Sequence, residues 1–145
     1  MTKLIITTVL AVAVSFWGLA QESHTVQSHI QKIVERYFEG YAIGDSTVLK
    51  EVFHQDFRLS WKDPWRNQLT HVDRSGLFSF FDANWSKLSI SSEINEIQVF
   101  NNSAYCRATV TLEGIVAWLD HINLLKLENG RWWIVSKVSE GRIIN

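Results

Sequence analysis

The 145-residue sequence sets a histidine close to a carboxylate at His54-Gln-Asp56 and at Asp120-His121. A carboxylate next to an imidazole can fix its tautomer and raise its basicity for proton abstraction, so these four residues are the weak candidates for acid–base catalysis. Asp120 and His121 are adjacent on a predicted strand, where neighbours point to opposite faces, so they do not pair with each other. The alternative reading of His54, which is preferred, is a loop residue beside a strand start that bonds backbone. The lone Cys106 has no partner for an intrachain disulfide and reads as a small hydrophobe facing inward with Ala104 and Ala108. A nucleophilic role would need a thiolate-stabilising neighbourhood, at which Tyr105 and Arg107 only hint. No His-Glu-x-x-His, paired Cys or spaced triad of ligands occurs, so no metal is expected, and no Gly-rich phosphate loop follows a strand. Asn84-Trp-Ser86 and Asn101-Asn-Ser103 fit the glycosylation pattern, which is meaningful only in a eukaryotic secretory pathway.

The elements that must position these residues follow from periodicity. Val26, Ile30, Ile33, Val34, Tyr37, Phe38 and Tyr41 recur at steps of three and four, predicting one long helix over 23–43 that Gly44 stops. Asp45 is placed to cap a second helix carrying Val48, Leu49, Val52 and Phe53. Phe57, Leu59 and Trp61 alternate with Arg58, Ser60 and Lys62 as a half-buried strand that ends at Asp63-Pro64, and a short extended piece follows at Gln68 to His71. Asp73 reads as the cap of a third helix with Leu77, Phe78, Phe81 and Trp85, weakened by Gly76.

From about Leu88 the chain is β in character. The alternation over 88–100 slips near Asn95, implying a bulge, and Asn101-Asn102 turns the chain back. Ser103 to Glu113 alternates again and Gly114 marks a kink. The strongest hairpin signal lies between Trp118 and Lys137, around Glu128-Asn129-Gly130. A two-residue turn would set Lys126 opposite Trp133 and Ile122 opposite Lys137. A three-residue turn with a bulge would set Lys126 opposite Trp132 and His121 opposite Lys137. The choice decides which of Asp120 and His121 looks inward. Three helices followed by a meander of strands make an α+β class, with the helices packed on one side of a curved antiparallel sheet.

Composition bounds the rest. With 46% apolar and 20% charged residues the chain is a single globular domain, and a formal charge of −1 leaves no net basic field for nucleic acid. Met1-Thr2-Lys3, the apolar run Leu4 to Leu19 and Gly18-Leu19-Ala20 read as a signal peptide over 1–20, cleaved after Ala20 and followed by one domain over 21–145. The expectation is an exported protein, periplasmic or secreted, that meets the membrane only during export. The competing reading, an uncleaved anchor, is disfavoured by a run short for spanning a bilayer.

Ile33-Val-Glu-Arg-Tyr-Phe-Glu-Gly-Tyr-Ala-Ile-Gly-Asp45, Leu49-Lys-Glu-Val-Phe-His-Gln-Asp-Phe-Arg-Leu59, and Asp120-His-Ile-Asn-Leu-Leu-Lys126 with Gly130-Arg-Trp-Trp-Ile-Val-Ser-Lys137 carry a resemblance. The chain resembles the nuclear transport factor 2-like superfamily, and within it the exported group called putative lumazine-binding or SnoaL-like (polyketide-cyclase-like). The resemblance spans nearly the whole mature chain. It implies a cone in which a strongly bent sheet wraps the first helix, leaves an apolar pocket at its mouth, and often dimerises through the convex sheet face. In the superfamily's enzymes a carboxylate or His acts with a Tyr of the first helix, and the matching residue types here are Tyr37, Tyr41, His54, Asp56, Asp120 and His121. Tyr37, Tyr41, Phe57, Trp61, Phe81 and Trp85 could line such a pocket, with the tyrosine hydroxyls and Arg58 or His54 orienting a ligand. The expected role is binding a small, partly apolar molecule as a homodimer without a cofactor. A cofactor-independent isomerase, dehydratase or cyclase is the runner-up, and an adaptor with a filled pocket is the third reading.

Overall fold

The computed structural model describes residues 24–84 and 89–144. The predicted leader over 1–20, Trp85 and the Trp-Ser of the first glycosylation pattern lie outside them. The first helix, α1, covers 24–43, where Ile30, Val34, Tyr37 and Phe38 form one buried stripe at helical spacing. Gly44 takes a φ of 68°, a left-handed conformation that ends the helix at little steric cost. Asp45 then accepts the Thr47 N–H at 2.8 Å and caps α2, Ser46–Lys50.

The structure shortens α2 relative to the sequence expectation and lengthens the strand after it. Strand β1 runs over Phe53–Lys62, so Phe53 belongs to the sheet rather than to a helical face. Val52 has already left the helix, and its carbonyl accepts the Ile134 N–H at 2.9 Å. Phe53 and Phe57 stack with ring centroids 4.1 Å apart, and burying each aromatic contributes roughly 2–3 kcal/mol. Strand β2, Leu69–Asp73, pairs back antiparallel on β1. Helix α3, Arg74–Asn84, begins where Asp73 accepts the Gly76 N–H at 2.8 Å.

Four long strands complete the chain: β3 Ile90–Phe100, β4 Ser103–Leu112, β5 Val116–Lys126 and β6 Trp132–Ile143. The six strands form one curved sheet in the order β2-β1-β6-β5-β4-β3, with the helices packed against it. All pairings are antiparallel except β1 with β6, which is parallel, a point the local pattern did not reveal. The register of β3 on β4 shifts between Ile94 and Glu96, at the expected bulge. Asn101, with φ of 55°, makes the turn that follows.

The β5–β6 hairpin contains both registers that the sequence allowed. Next to the turn Lys126 faces Trp132, whereas beyond it Asn123 faces Ser136 and Ile122 faces Lys137, because Val135 is an extra residue on β6. This bulge changes the parity of β6. Trp132 and Ile134 face the core before it, and Lys137 and Ser139 face the core after it.

Candidate functional site

The concave side of the sheet, α1 and α3 enclose a cavity of about 490 Å³. Its walls are overwhelmingly apolar. Trp61 and Leu59 come from β1, Val110 and Leu112 from β4, and Trp118 from β5, while Tyr37 and Tyr41 come from α1. The rim carries Trp65, after β1, and Phe80 of α3, both of which are largely solvent-exposed. Within α3, Gly76, Leu77 and Phe80 turn toward the cavity, while Phe78 and Phe81 fill the core.

One part of the wall is polar, and it is densely connected. The Asp120 carboxylate is 1% exposed. Its Oδ1 accepts the Ser139 hydroxyl at 2.6 Å, and its Oδ2 accepts the Tyr37 hydroxyl at 3.0 Å and the Lys137 ammonium at 2.9 Å. Lys137 Nζ also donates to the Tyr37 oxygen at 2.7 Å. Asp120 lies directly opposite Ser139 in the ladder, and Lys137 is its diagonal neighbour, opposite Ile122. Strand pairing therefore assembles three of the four members, and α1 supplies the fourth. Burial, then the charge of Asp120, pushes the Tyr37 phenol well above its ordinary value. The Tyr41 phenol is raised for the same two reasons. Both tyrosines are thus neutral at any physiological pH.

The sequence candidates separate into two groups. Asp120, Tyr37, Tyr41 and Trp61 line the cavity. Phe57 and Phe81 are buried behind it, and Phe81 meets Tyr41 edge-on at 5.5 Å. Arg58 does not reach the cavity, because the strand period that turns Phe57 and Leu59 inward turns it outward; its guanidinium donates to the Phe57 carbonyl at 3.0 Å. His54 and Asp56 are also outside. The His54 Nδ1 accepts the Asp56 N–H at 3.2 Å, and its ring packs edge-on against Trp133. His121 points to the convex face and bonds the Tyr105 hydroxyl through Nδ1 at 2.7 Å. Trp85 lies outside the described residues. Cys106 is buried, and its thiol is pushed up to about 12 by desolvation and then by the Asp120 charge.

Lys137 and Ser139 were missed by sequence reasoning. A faint signal was present, since a Lys within Trp-Trp-Ile-Val-Ser-Lys-Val sits in a strand otherwise rich in apolar residues. Only the Val135 bulge converts that signal into an inward-facing ammonium.

Comparison with known proteins agrees with this architecture. A search among proteins of curated function gives no match. Among solved structures, a nuclear transport factor 2-like protein of unknown function from Shewanella baltica OS155 is 27% identical, with a TM-score of 0.71 over 85% of this chain and 95% of that one. A second such protein, from Silicibacter pomeroyi DSS-3, is 22% identical with a TM-score of 0.69, covering 85% and 98%. A ketosteroid isomerase-like protein from Erwinia carotovora atroseptica SCRI1043 shares the fold at 15% identity and a TM-score of 0.61, covering 82% and 96%. The family model described as "Putative lumazine-binding" matches residues 25–139. The chain therefore belongs to the putative lumazine-binding family of the nuclear transport factor 2-like superfamily.

Proposed function

We infer that this domain binds a small, flat, partly apolar molecule in the cavity between the sheet, α1 and α3. The observation that carries the reading is the cavity itself: about 490 Å³ of space walled by aromatic and aliphatic side chains, with one compact polar group in the wall. A domain whose only task was packing would gain stability by filling that space, because an apolar void forfeits dispersion contacts. Trp61 and Trp118 offer planar surfaces for stacking, and the Asp120–Lys137 group offers directional bonding to a ligand that enters past Trp65 and Phe80.

Native mass spectrometry of the protein purified from its own host should show one added small molecule per chain. Leu77→Trp, which places a bulky ring in the cavity, should abolish the added mass while leaving the fold intact. Lumazine, the compound in the family's description, is the first reagent for a direct titration. A chain that carries no added mass, and whose melting is unmoved by lumazine and by flat aromatic ketones, would refute the reading.

A second reading has one specific observation behind it. A carboxylate and an ammonium both reach the same cavity, the arrangement an acid–base isomerase or dehydratase needs. Three of the four acceptor positions of the Asp120 carboxylate are already occupied, which leaves one, on Oδ1, for a substrate proton. Exchange of a carbon-bound hydrogen of the retained molecule with deuterated solvent would favour catalysis. Its absence leaves binding as the function.

A further inference from the structure

The polar group in the cavity wall has an uneven balance of donors and acceptors. An ammonium carries three N–H bonds, and Lys137 uses two of them, on Asp120 Oδ2 at 2.9 Å and on the Tyr37 oxygen at 2.7 Å. The hydroxyls of Tyr37 and Ser139 are both spent on Asp120. Among the described residues the third Lys137 N–H has only ring faces nearby, with Nζ 5.0 Å from the centroid of Tyr37 and 5.6 Å from that of the cavity-lining Tyr41. Lys137 is itself 93% buried, with a relative exposure of 7%, so this donor is withdrawn from bulk water. A charged donor in that position lacks a strong acceptor that a ligand could supply.

Charge narrows the class of acceptor. Lys137 and Asp120 neutralise each other, and among the described residues no other charged side chain lines the cavity. An anionic ligand would bring an uncompensated charge into an apolar space and would face the Asp120 carboxylate across the same ammonium. A neutral carbonyl oxygen avoids both penalties and accepts a charge-assisted hydrogen bond.

Resting on the reading of the cavity as a binding site, we propose that its ligand is a neutral planar molecule bearing a carbonyl oxygen that accepts the third N–H of Lys137. The planar body then lies among Tyr41, Trp61 and Trp118. Recognition centres on one charged donor in a mostly apolar site, so the site selects for an acceptor at one edge of the molecule and against acids.

The test uses the full domain and three matched probes: fluorene, fluorenone and the fluorene carboxylate anion. Fluorenone is expected to bind roughly tenfold more tightly than fluorene, with its carbonyl stretching band moved to lower frequency, and the carboxylate should bind more weakly than the ketone. In Lys137→Met the advantage of the ketone over the hydrocarbon should vanish. Equal affinity of fluorene and fluorenone for the wild-type protein, or an unshifted carbonyl band, overturns the assignment of Lys137 and leaves the binding site standing. Tighter binding of the carboxylate overturns the choice of a neutral acceptor. Failure of all three probes to bind counts against the binding site itself. The comparison of probes on the wild-type protein holds even if Lys137→Met does not fold.

Discussion

Asp120 and Lys137 are a charge pair in a wall that is otherwise apolar, and their energetics follow from that placement. Both side chains are nearly inaccessible, at 1% and 8%, so each depends on the other and on Tyr37, and Asp120 also on Ser139, for the bonding that water would have supplied. Breaking such a pair is costlier than replacing it. Asp120→Asn leaves a buried ammonium without a counter-charge and should cost about 3–5 kcal/mol in urea unfolding. Lys137→Met leaves the carboxylate held by two neutral hydroxyls and should also be clearly destabilising. The double variant removes both charges and keeps an amide acceptor for Tyr37, so it should recover at least about 2 kcal/mol relative to the sum of the singles. Additive single effects would mean that the two groups do not depend on each other.

At the scale of elements, what was legible in the sequence was what is locally encoded. The stripe from Ile30 to Tyr37, the Asp45 and Asp73 caps, the slip near Asn95 and the turn at Asn101 each reflect the preferences of a few adjacent residues, and each occurs in the structure. The candidate site was only half legible because it depends on parity across strands. Tyr37, Tyr41, Trp61 and Asp120 were in view, whereas Lys137 and Ser139 face inward only because Val135 interrupts β6, and a run of alternating apolar residues does not reveal which one will be unpaired. Arg58 shows the converse, for its outward direction was implicit in the alternation of Phe57 and Leu59. Phe53 continued a helical spacing and yet opens β1, since its pairing with Ile134 is a contact between distant parts of the chain. The same bulge turns Gly141 inward under Trp118. A Cβ there would sit 2.8 Å from the indole Cζ3 and 2.9 Å from Cη2, closer than ring carbon permits. Gly141→Ala should therefore push Trp118 into the cavity, costing roughly 1–3 kcal/mol and weakening ligand binding. Pairing it with Trp118→Leu, which removes the ring, should return most of the stability without restoring the stacking surface. If Gly141→Ala melts like the wild type, the close approach does not constrain the cavity wall.

For the molecule as a whole, the buried acids make the fold sensitive to alkali. The phenols of Tyr37 and Tyr41 sit inside the sheet's concave side, and burial and then the Asp120 charge raise both above their ordinary value of 10.0; the Cys106 thiol, ordinarily 9.0, is pushed up to about 12. Below about pH 7 all three are protonated in both the folded and the unfolded chain, so they add no pH dependence. Above that value the unfolded chain releases protons that the folded chain retains, and fewer protons bound in the unfolded state means that stability falls as pH rises. Each phenol that the fold keeps protonated contributes up to about 1.4 kcal/mol per pH unit once the pH exceeds its unfolded value. Urea unfolding should therefore give a stability that is insensitive to these groups near neutrality and declines steeply above about pH 10. Tyr41→Phe removes one phenol while leaving the bonds among Tyr37, Asp120, Lys137 and Ser139 in place, so its alkaline slope should be shallower by up to one proton. An alkaline slope unchanged in Tyr41→Phe would show that the phenol ionises as readily inside the fold as outside.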